Sequence, residues 1–399
     1  MAPHAGLVHL KEYDIKDSNV ELIGSNIDHK VKHASAASEP AWNDGRVGVA
    51  PGLFVWRIED FEVVAWPREQ YGRFYDGDSF IVLRSRKVGT AGEQEKLAHD
   101  VFFWLGAHTS QDEAGTAAYK TVELDEFLGG AAVQHRELQQ CPSDEFVSLF
   151  PRLEVRSGGV RSGFRHVERE EGEPITTLLR VSKHASGSVV VVEVEPTWES
   201  LDEEDVFVLD KGDKIWVWQG SKCSPMEKAK AAQVVHDMTI AKHVDVEVLS
   251  QNESRSHVIV RMLGGEEAGG PETFRHSRPV ASTSDRLTAR SRGARPRRLF
   301  RLSDASGMLS FELASEGAAV SKADLDGSDV FILDDGEREV WVWQGLQSSR
   351  AEKASWLKVA QAYVRRLQQQ EGDEDAYLIP IAKVLEGSES PAFTRAISV

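Results

Sequence analysis

Only two cysteines, Cys141 and Cys223, occur in 399 residues. They stand far apart with no metal-like partner spacing, which argues against a disulfide framework and against a zinc site. Two small, buried thiols in a reducing compartment are expected. Positive charge is also scarce: 47 Lys and Arg face 64 Asp and Glu, for a net charge of −17. Phosphate binding needs clustered cations, so nucleic acid is disfavoured as the main partner, whereas divalent cations suit such a chain. Long apolar runs are missing. The longest aliphatic stretch, residues 189–192, stops at Glu193 and is far too short for a bilayer span. The first residues have neither the apolar core nor the early basic cluster of a signal peptide. There is no Gly-x-x-x-x-Gly-Lys phosphate loop, no His-Glu-x-x-His, and no Ser, Cys or Lys with a visible base partner. The 13 histidines are scattered; His135 and His166 read as structural. A soluble, cytosolic protein that is not an enzyme is expected.

What is present is a threefold repeat. Asp78-Ser79-Phe80-Ile81-Val82-Leu83 returns as Asp205-Val206-Phe207-Val208-Leu209-Asp210 and as Asp329-Val330-Phe331-Ile332-Leu333-Asp334. Each copy leads to a second apolar strand that ends in a turn glycine, at Gly106, Gly220 and Gly345. Each then opens a helix with Ser-x-x-Glu: Ser110 to Glu113, Ser224 to Glu227, and Ser349 to Glu352. The polar loop 87–96 makes the first copy longer than the others, and loop insertions cost little.

This period predicts domains in series. The length prior of roughly two to three domains agrees, and 41% hydrophobic residues suffice for their cores. Residues 1–50 read as an extension with one short helix near 15–23, followed by a first domain over 51–165. A linker over 166–175 leads to a second domain over 176–265. A basic linker over 266–297 leads to a third domain over 298–386, and 387–399 read as a loose tail. Strands are expected at 53–58, 61–67, 79–83, 244–249, 256–263 and 376–381. Helices are expected at 111–127, 225–239 and 350–369. In the last of these, Trp356, Val359, Ala360, Tyr363, Val364 and Leu367 form a helical apolar stripe. Arg286, Arg290, Arg292, Arg295, Arg297, Arg298 and Arg301 crowd the second linker. They are either a solvated tether or a contact for an acidic surface or anionic lipid.

Each carboxylate has an ordinary reading. Ser-x-x-Glu is a capping box, in which the glutamate reaches back to the N-cap amide, and Pro225 suits the first helical position. Aspartate is common where a turn enters a strand. Recurrence of both together is the case for metal: calcium takes carboxylates plus backbone carbonyls, and a strand-edge aspartate and a helix-start glutamate supply such a set.

Through Phe74-Tyr75-Asp76-Gly77-Asp78-Ser79-Phe80, the stretch from Ser110 to Gly130, Gln134-His135-Arg136 and Ser157-Gly158-Gly159-Val160, the chain resembles the gelsolin superfamily. Its three-domain severin and fragmin branch is the nearest match. The resemblance runs from about residue 42 to 385 and continues in Trp198-Glu199-Ser200. It implies an α+β fold of three tandem gelsolin-like domains, each a central mixed β-sheet flanked by a long and a short helix. It implies calcium-activated severing of actin filaments and capping of barbed ends, with nucleation as a side activity. The implied first-domain ligands are Asp78, Glu113 and the carbonyls of Gly77 and Val160. A second ion there would use Asp125, the carbonyls of Gly130 and Ala132, and a carboxylate from actin. The second domain matches through Asp205, Glu227 and the carbonyl of Glu204, where the family has glycine, with Asp285 closing the site. The third offers Asp329 and Glu352.

The resemblance places Gln111, Thr116, Tyr119, Asp125 and Phe127 on an actin-binding helix that wedges between subunits, with domain two on the filament side. It aligns weak phosphoinositide contacts with Arg152, Arg156, Arg180 and Lys183. Actin as monomer and filament is the expected partner, the free protein is expected to be a monomer, and its place is the cytoplasm and cytoskeleton. Three alternatives stay open: a capper that does not sever, a calcium-dependent scaffold that does not touch actin, and an enzyme using the carboxylate pairs as acid and base. Triplication weighs against the last.

Overall fold

A computed structural model describes residues 36, 38–88, 96–159, 176–184, 188–265, 295–317, 319–336, 339–371, 376 and 379–397. Val160, His166, Asp285, Arg286, Arg290, Arg292 and the helix expected near 15–23 lie outside them. No described helix is long and apolar enough to cross a membrane.

The first repeat contributes β1 (Gly52–Glu59), β2 (Glu62–Ala65), β3 (Arg73–Tyr75), β4 (Ser79–Val88), β5 (Lys96–Leu105), β6 (Val133–Leu138) and β7 (Arg152–Arg156), with α1 (Gln111–Phe127) and α2 (Asp144–Val147). The second contributes β8 (Thr177–Lys183), β9 (Val189–Val194), β10 (Val206–Asp210), β11 (Lys214–Gln219) and β12 (Asp245–Ser250), with α3 (Pro225–Lys242) and α4 (His257–Met262). The third contributes β13 (Arg298–Ser303), β14 (Ser310–Glu316), β15 (Val330–Asp334), β16 (Val340–Gln344) and β17 (Ile381–Leu385), with α5 (Arg350–Glu371) and α6 (Pro391–Ile397).

Each repeat builds the same mixed five-stranded unit, in the orders β2-β1-β4-β5-β6, β9-β8-β10-β11-β12 and β14-β13-β15-β16-β17. Within each unit the first four strands are antiparallel neighbours and the last pair is parallel. The parallel pair follows from chemistry: a long helix intervenes, and parallel strands need such a crossover. The strands that open with the repeated aspartate lie at the centre. β10 and β15 are buried at every residue, which explains their unbroken apolar runs.

One face of each sheet carries the long helix and the other a short one. In the second repeat Ala231, Val234 and Val235 of α3 close one core, and Ile259 and Val260 of α4 close the other. In the third, Trp356, Ala360, Tyr363, Val364 and Leu367 of α5 face one core, and Phe393 and Ile397 of α6 the other.

The units join by their edges. β17 pairs antiparallel with β6, giving a ten-stranded sheet across the first and third repeats. β7 of the first repeat pairs in parallel with β9 of the second, giving a seven-stranded sheet that ends in β3. Val190 and Val192 of β9 pack among Phe74, Phe80, Phe102, Trp104, Phe146 and Phe150 of the first repeat. Residues 152–156, on the first-domain side of the expected boundary, therefore complete the second repeat's sheet. Both joins pair edge strands that would otherwise expose rows of backbone donors and acceptors.

Four expectations are corrected. Described residues at the end of the 1–50 extension belong to the first core: Trp42 is fully buried with Val47 against Trp56 and Leu124, and its indole Nε1 donates to Ala36 O at 3.1 Å. The stretch 256–263 is helical, because its buried positions, Ser256, Ile259, Val260 and Leu263, recur at helical rather than alternating spacing. The last strand begins at Ile381 and not at 376, since Pro380 has no amide to give a central ladder. The tail is not loose: α6 buries Phe393 and Ile397.

Candidate metal centres

The repeated aspartates sit in one backbone frame. The amides of Gly106, Gly220 and Gly345 donate to the carbonyls of Asp78, Asp205 and Asp329 at 2.9, 3.0 and 3.0 Å. A Cβ at any of these glycines would meet another carbonyl oxygen, that of Asp76, Glu203 or Gly327, at 2.3 Å. That is why the turn glycine recurs. All three aspartates are buried, at 0, 0 and 2% exposure. In the first repeat the turn at Gly158 and Gly159 folds down on the site. Gly77 N donates to Gly158 O at 2.8 Å, and a Cβ on Gly159 would lie 2.5 Å from Asp78 Oδ1. The glycine ahead of Val160 therefore reaches the Asp78 carboxylate.

The helix-start glutamates divide into two kinds. Glu227 and Glu352 complete capping boxes: Oε2 of each accepts from the amide of Ser224 or Ser349, at 2.7 and 2.9 Å. Their other oxygens accept from Lys183 N and Asp304 N, at 2.9 and 2.8 Å. Glu113 is different. Its Oε2 accepts from Thr109 Oγ1 at 3.1 Å, while Oε1 is buried without a hydrogen-bond partner. Burial pushes the Glu113 carboxyl above its ordinary range, partly offset by Thr109, Ser110 and Arg57. Burial likewise raises Glu352, and the charges of Asp304 and Asp329 raise it further. Strand acid and helix acid thus share a field in repeat three. In repeat two, Asp205 and Glu227 both bear on the Cys223 thiol, which burial raises.

One arginine per repeat occupies the same place. Arg57 Nη2 lies 2.7 Å from Asp78 Oδ2. Arg180 Nε lies 2.5 Å from Asp205 Oδ2, and Arg301 Nε 2.7 Å from Asp329 Oδ2. Their strand partners are equivalent too: Arg57 faces Phe80, Arg180 faces Phe207 and Arg301 faces Phe331. Among the described residues no three His, Cys, Asp or Glu side chains gather into a metal-binding group. The two buried carboxylates of each repeat, with nearby backbone oxygens, are hard donors of the kind that would suit calcium. Glu113 Oε1 is the clearest vacant donor. Sequence reasoning missed the arginines. Their signal was present as an arginine between apolar residues in Trp56-Arg57-Ile58, Leu179-Arg180-Val181 and Phe300-Arg301-Leu302.

A "Gelsolin repeat" profile matches residues 60–147 and 187–268. The chain is 37% identical to Gelsolin-like protein 1 of Lumbricus terrestris over 395 residues, covering 98% of this chain and 99% of that protein. It is 36% identical to Severin of Echinococcus granulosus over 365 residues, covering 90% and 92%. The chain belongs to the gelsolin family. It is severin-like in having three repeats, and the third gelsolin domain shows the strand order and the acid–arginine pair of the other two.

In the first gelsolin domain, Asp125 stands apart from the other acids. It lies near the end of α1, is 5% exposed, and accepts from Ala132 N at 2.9 Å and Gln134 Nε2 at 2.5 Å. Gly130 N donates to its carbonyl at 2.8 Å. Glu204 N donates to Asp202 Oδ1 at 2.8 Å, with its side chain exposed. On α1, Tyr119 is 44% exposed. Thr116 Oγ1 donates to Asp112 O at 2.8 Å, Phe127 packs partly into the first core, and Gln111 opens the helix. Phe127 and Asp125 thus face inward in this arrangement.

The lipid-facing set is corrected. Arg180 is 2% exposed and bound to Asp205, so no head group reaches it. Arg152 pairs with Asp237 at 2.7 Å, Arg156 pairs with Glu154 at 2.5 Å, and Lys183 is exposed. The described end of the basic run is not a solvated tether either. Arg295 pairs with Asp334 at 3.3 Å, Arg298 with Glu316 at 2.8 Å and Arg301 with Asp329. The acidic surface it meets is the third domain itself.

Proposed function

We propose that this protein severs actin filaments and caps their barbed ends in response to calcium, with nucleation as a secondary activity. The observation that carries the reading is the buried acid pair repeated in every domain, with Glu113 Oε1 left unpaired in the first. Asp78 and Glu113, with the carbonyls of Gly77 and Val160, would hold one ion. Asp205 and Glu227, with the Glu204 carbonyl and Asp285, would hold a second, and Asp329 and Glu352 a third. Asp125, with the carbonyls of Gly130 and Ala132, would hold an ion shared with actin. Bound calcium supplies the positive charge that lets these carboxylates stay ionised and together.

The chain's own residues do the rest. Arg57, Arg180 and Arg301 neutralise the strand aspartates in the closed arrangement. The β6–β17 pairing holds the third domain against the first and keeps Asp125 covered. A shift to the open form requires calcium to bind that form better. Once open, α1 presents Tyr119, Thr116 and Gln111 to an actin subunit, while domain two holds the filament side. Linked domains then gain avidity from effective concentration. The reading is one of binding and not of catalysis, in the cytoplasm and cytoskeleton, by a chain that is monomeric when free. Lys183, Arg152 and Arg156 leave at most a weak phosphoinositide contact.

Dilution-induced depolymerisation of labelled filaments, with calcium or with chelator, tests this. Severing multiplies ends and accelerates loss in calcium, whereas capping alone slows it. An unchanged rate in both conditions refutes an actin function.

A further inference from the structure

The carboxylate of Asp125 is in an unfavourable place. It lies in the last turns of α1, where the helix dipole is negative, and that end of the helix carries no basic residue. It is also buried, and two neutral donors, Ala132 N and Gln134 Nε2, do not balance a full charge. The balancing cation comes from 258 residues away. Lys383 Nζ lies 3.4 Å from Asp125 Oδ2, with both side chains buried, at 8 and 7% exposure. Lys383 is on β17, directly opposite Gln134 of β6, and its ammonium also lies 6.0 Å from the centre of the Trp356 ring. His99 feels the Asp125 charge as well, but burial pushes its imidazole below the usual range, so it is neutral near pH 7.

We propose that Lys383 is an internal counter-cation for Asp125 and acts as an electrostatic latch, holding the third domain on the first until a metal ion takes its place. The calcium half of this rests on the proposed function; the latch itself does not. One carboxylate cannot serve both cations. While Lys383 is docked, Asp125 is neutralised and covered. When β17 leaves β6, the lysine goes into water and Asp125 needs another cation. The sheet join it guards is short, with pairs at Ile381 and Arg136, Ala382 and His135, and Lys383 and Gln134. Loss of one buried charge partner therefore weighs heavily against it.

Amide hydrogen exchange reads the latch directly, in chelator and without actin. In Lys383→Met the amides of β6 and β17 exchange at least about tenfold faster than in the wild type, because Asp125 is left uncompensated. Asp125→Asn, which strands the lysine, does the same from the other side. The double variant, with both charges gone, returns toward wild-type protection. Unchanged protection of β15 and β16 shows that each variant is folded. If both single variants exchange at β6 and β17 like the wild type, the latch is refuted. A calcium arm separates the two claims. Wild-type protein whose β6–β17 amides ignore calcium refutes the metal reading but leaves the chelator result to decide the latch. If calcium does open the wild type, Lys383→Met opens at a calcium level lower by about the factor gained in exchange.

Discussion

Replacing Arg180 with methionine separates a structural ion pair from a metal centre held in reserve. Arg180 and Asp205 are 2 and 0% exposed at their side chains. Removing one member of such a pair leaves an uncompensated buried charge, at a cost of about 3–5 kcal/mol. Arg57 is 12% exposed against a fully buried Asp78, so its loss costs somewhat less. Arg301 is 47% exposed, and solvent screening reduces its share to about 1 kcal/mol or less. The expected order of destabilisation in chelator is therefore Arg180→Met, then Arg57→Met, then Arg301→Met. Thermal or urea unfolding in chelator measures it; for a domain of this size about 1 kcal/mol moves the midpoint by roughly 4–8 °C. Saturating calcium supplies the missing charge at each aspartate, so the same variants approach wild-type stability there and bind calcium more tightly. If Arg180→Met is destabilised equally with calcium and with chelator, Asp205 is a structural partner only, and the second-domain centre is refuted.

Other outcomes follow from the same geometry. In chelator, Glu227→Ala costs about 1 kcal/mol through its lost capping box, whereas Glu113→Ala costs little stability and instead removes one calcium-binding step, as calorimetric titration would show. Burial holds the Glu113 and Glu352 carboxyls above their ordinary range. Their raised folded values favour the protonated native state, a contribution present at low pH and lost as pH rises through those values, so calcium affinity falls as pH is lowered toward those values and protons compete. Glu339 is 7% exposed and is pushed well above the usual range by burial and by the charges of Glu145, Glu137, Asp335 and Asp144, the first two and the last from the opposite domain. Glu339→Gln removes that burden and tightens the contact between first and third domains by about 1.4 kcal/mol for each pH unit between the free and shifted values, with the gain greatest at high pH in a stability–pH profile. Trp42→Ala costs about 3–5 kcal/mol in chemical denaturation, which would show that residues before 51 are part of the first domain.

The sequence by itself determined the repeat and most of its parts. A strand-start aspartate, a turn glycine and a capping serine each have a local cause, so each was legible from neighbouring residues. Gly106, Gly220 and Gly345 are required by a carbonyl 2.3 Å from where a side chain would begin, and the helix beginning at Pro225 follows from capping chemistry within four residues. What sequence left open depended on partners distant along the chain. Arg180 read as a lipid contact because nothing nearby shows that its strand lies beside that of Asp205. The sequence placed Asp125 at an ion shared with actin but gave no sign of its burial beside Lys383, because that counter-ion is 258 residues away. For the end of the basic run, tether and acidic contact stayed undivided because the carboxylates that hold it, Asp334 and Glu316, belong to strands that follow it. Local hydrogen bonding and periodicity are written in short windows, whereas the balance of buried charge is settled only when edge strands from different domains meet, and here that meeting decides which acids are covered and by what.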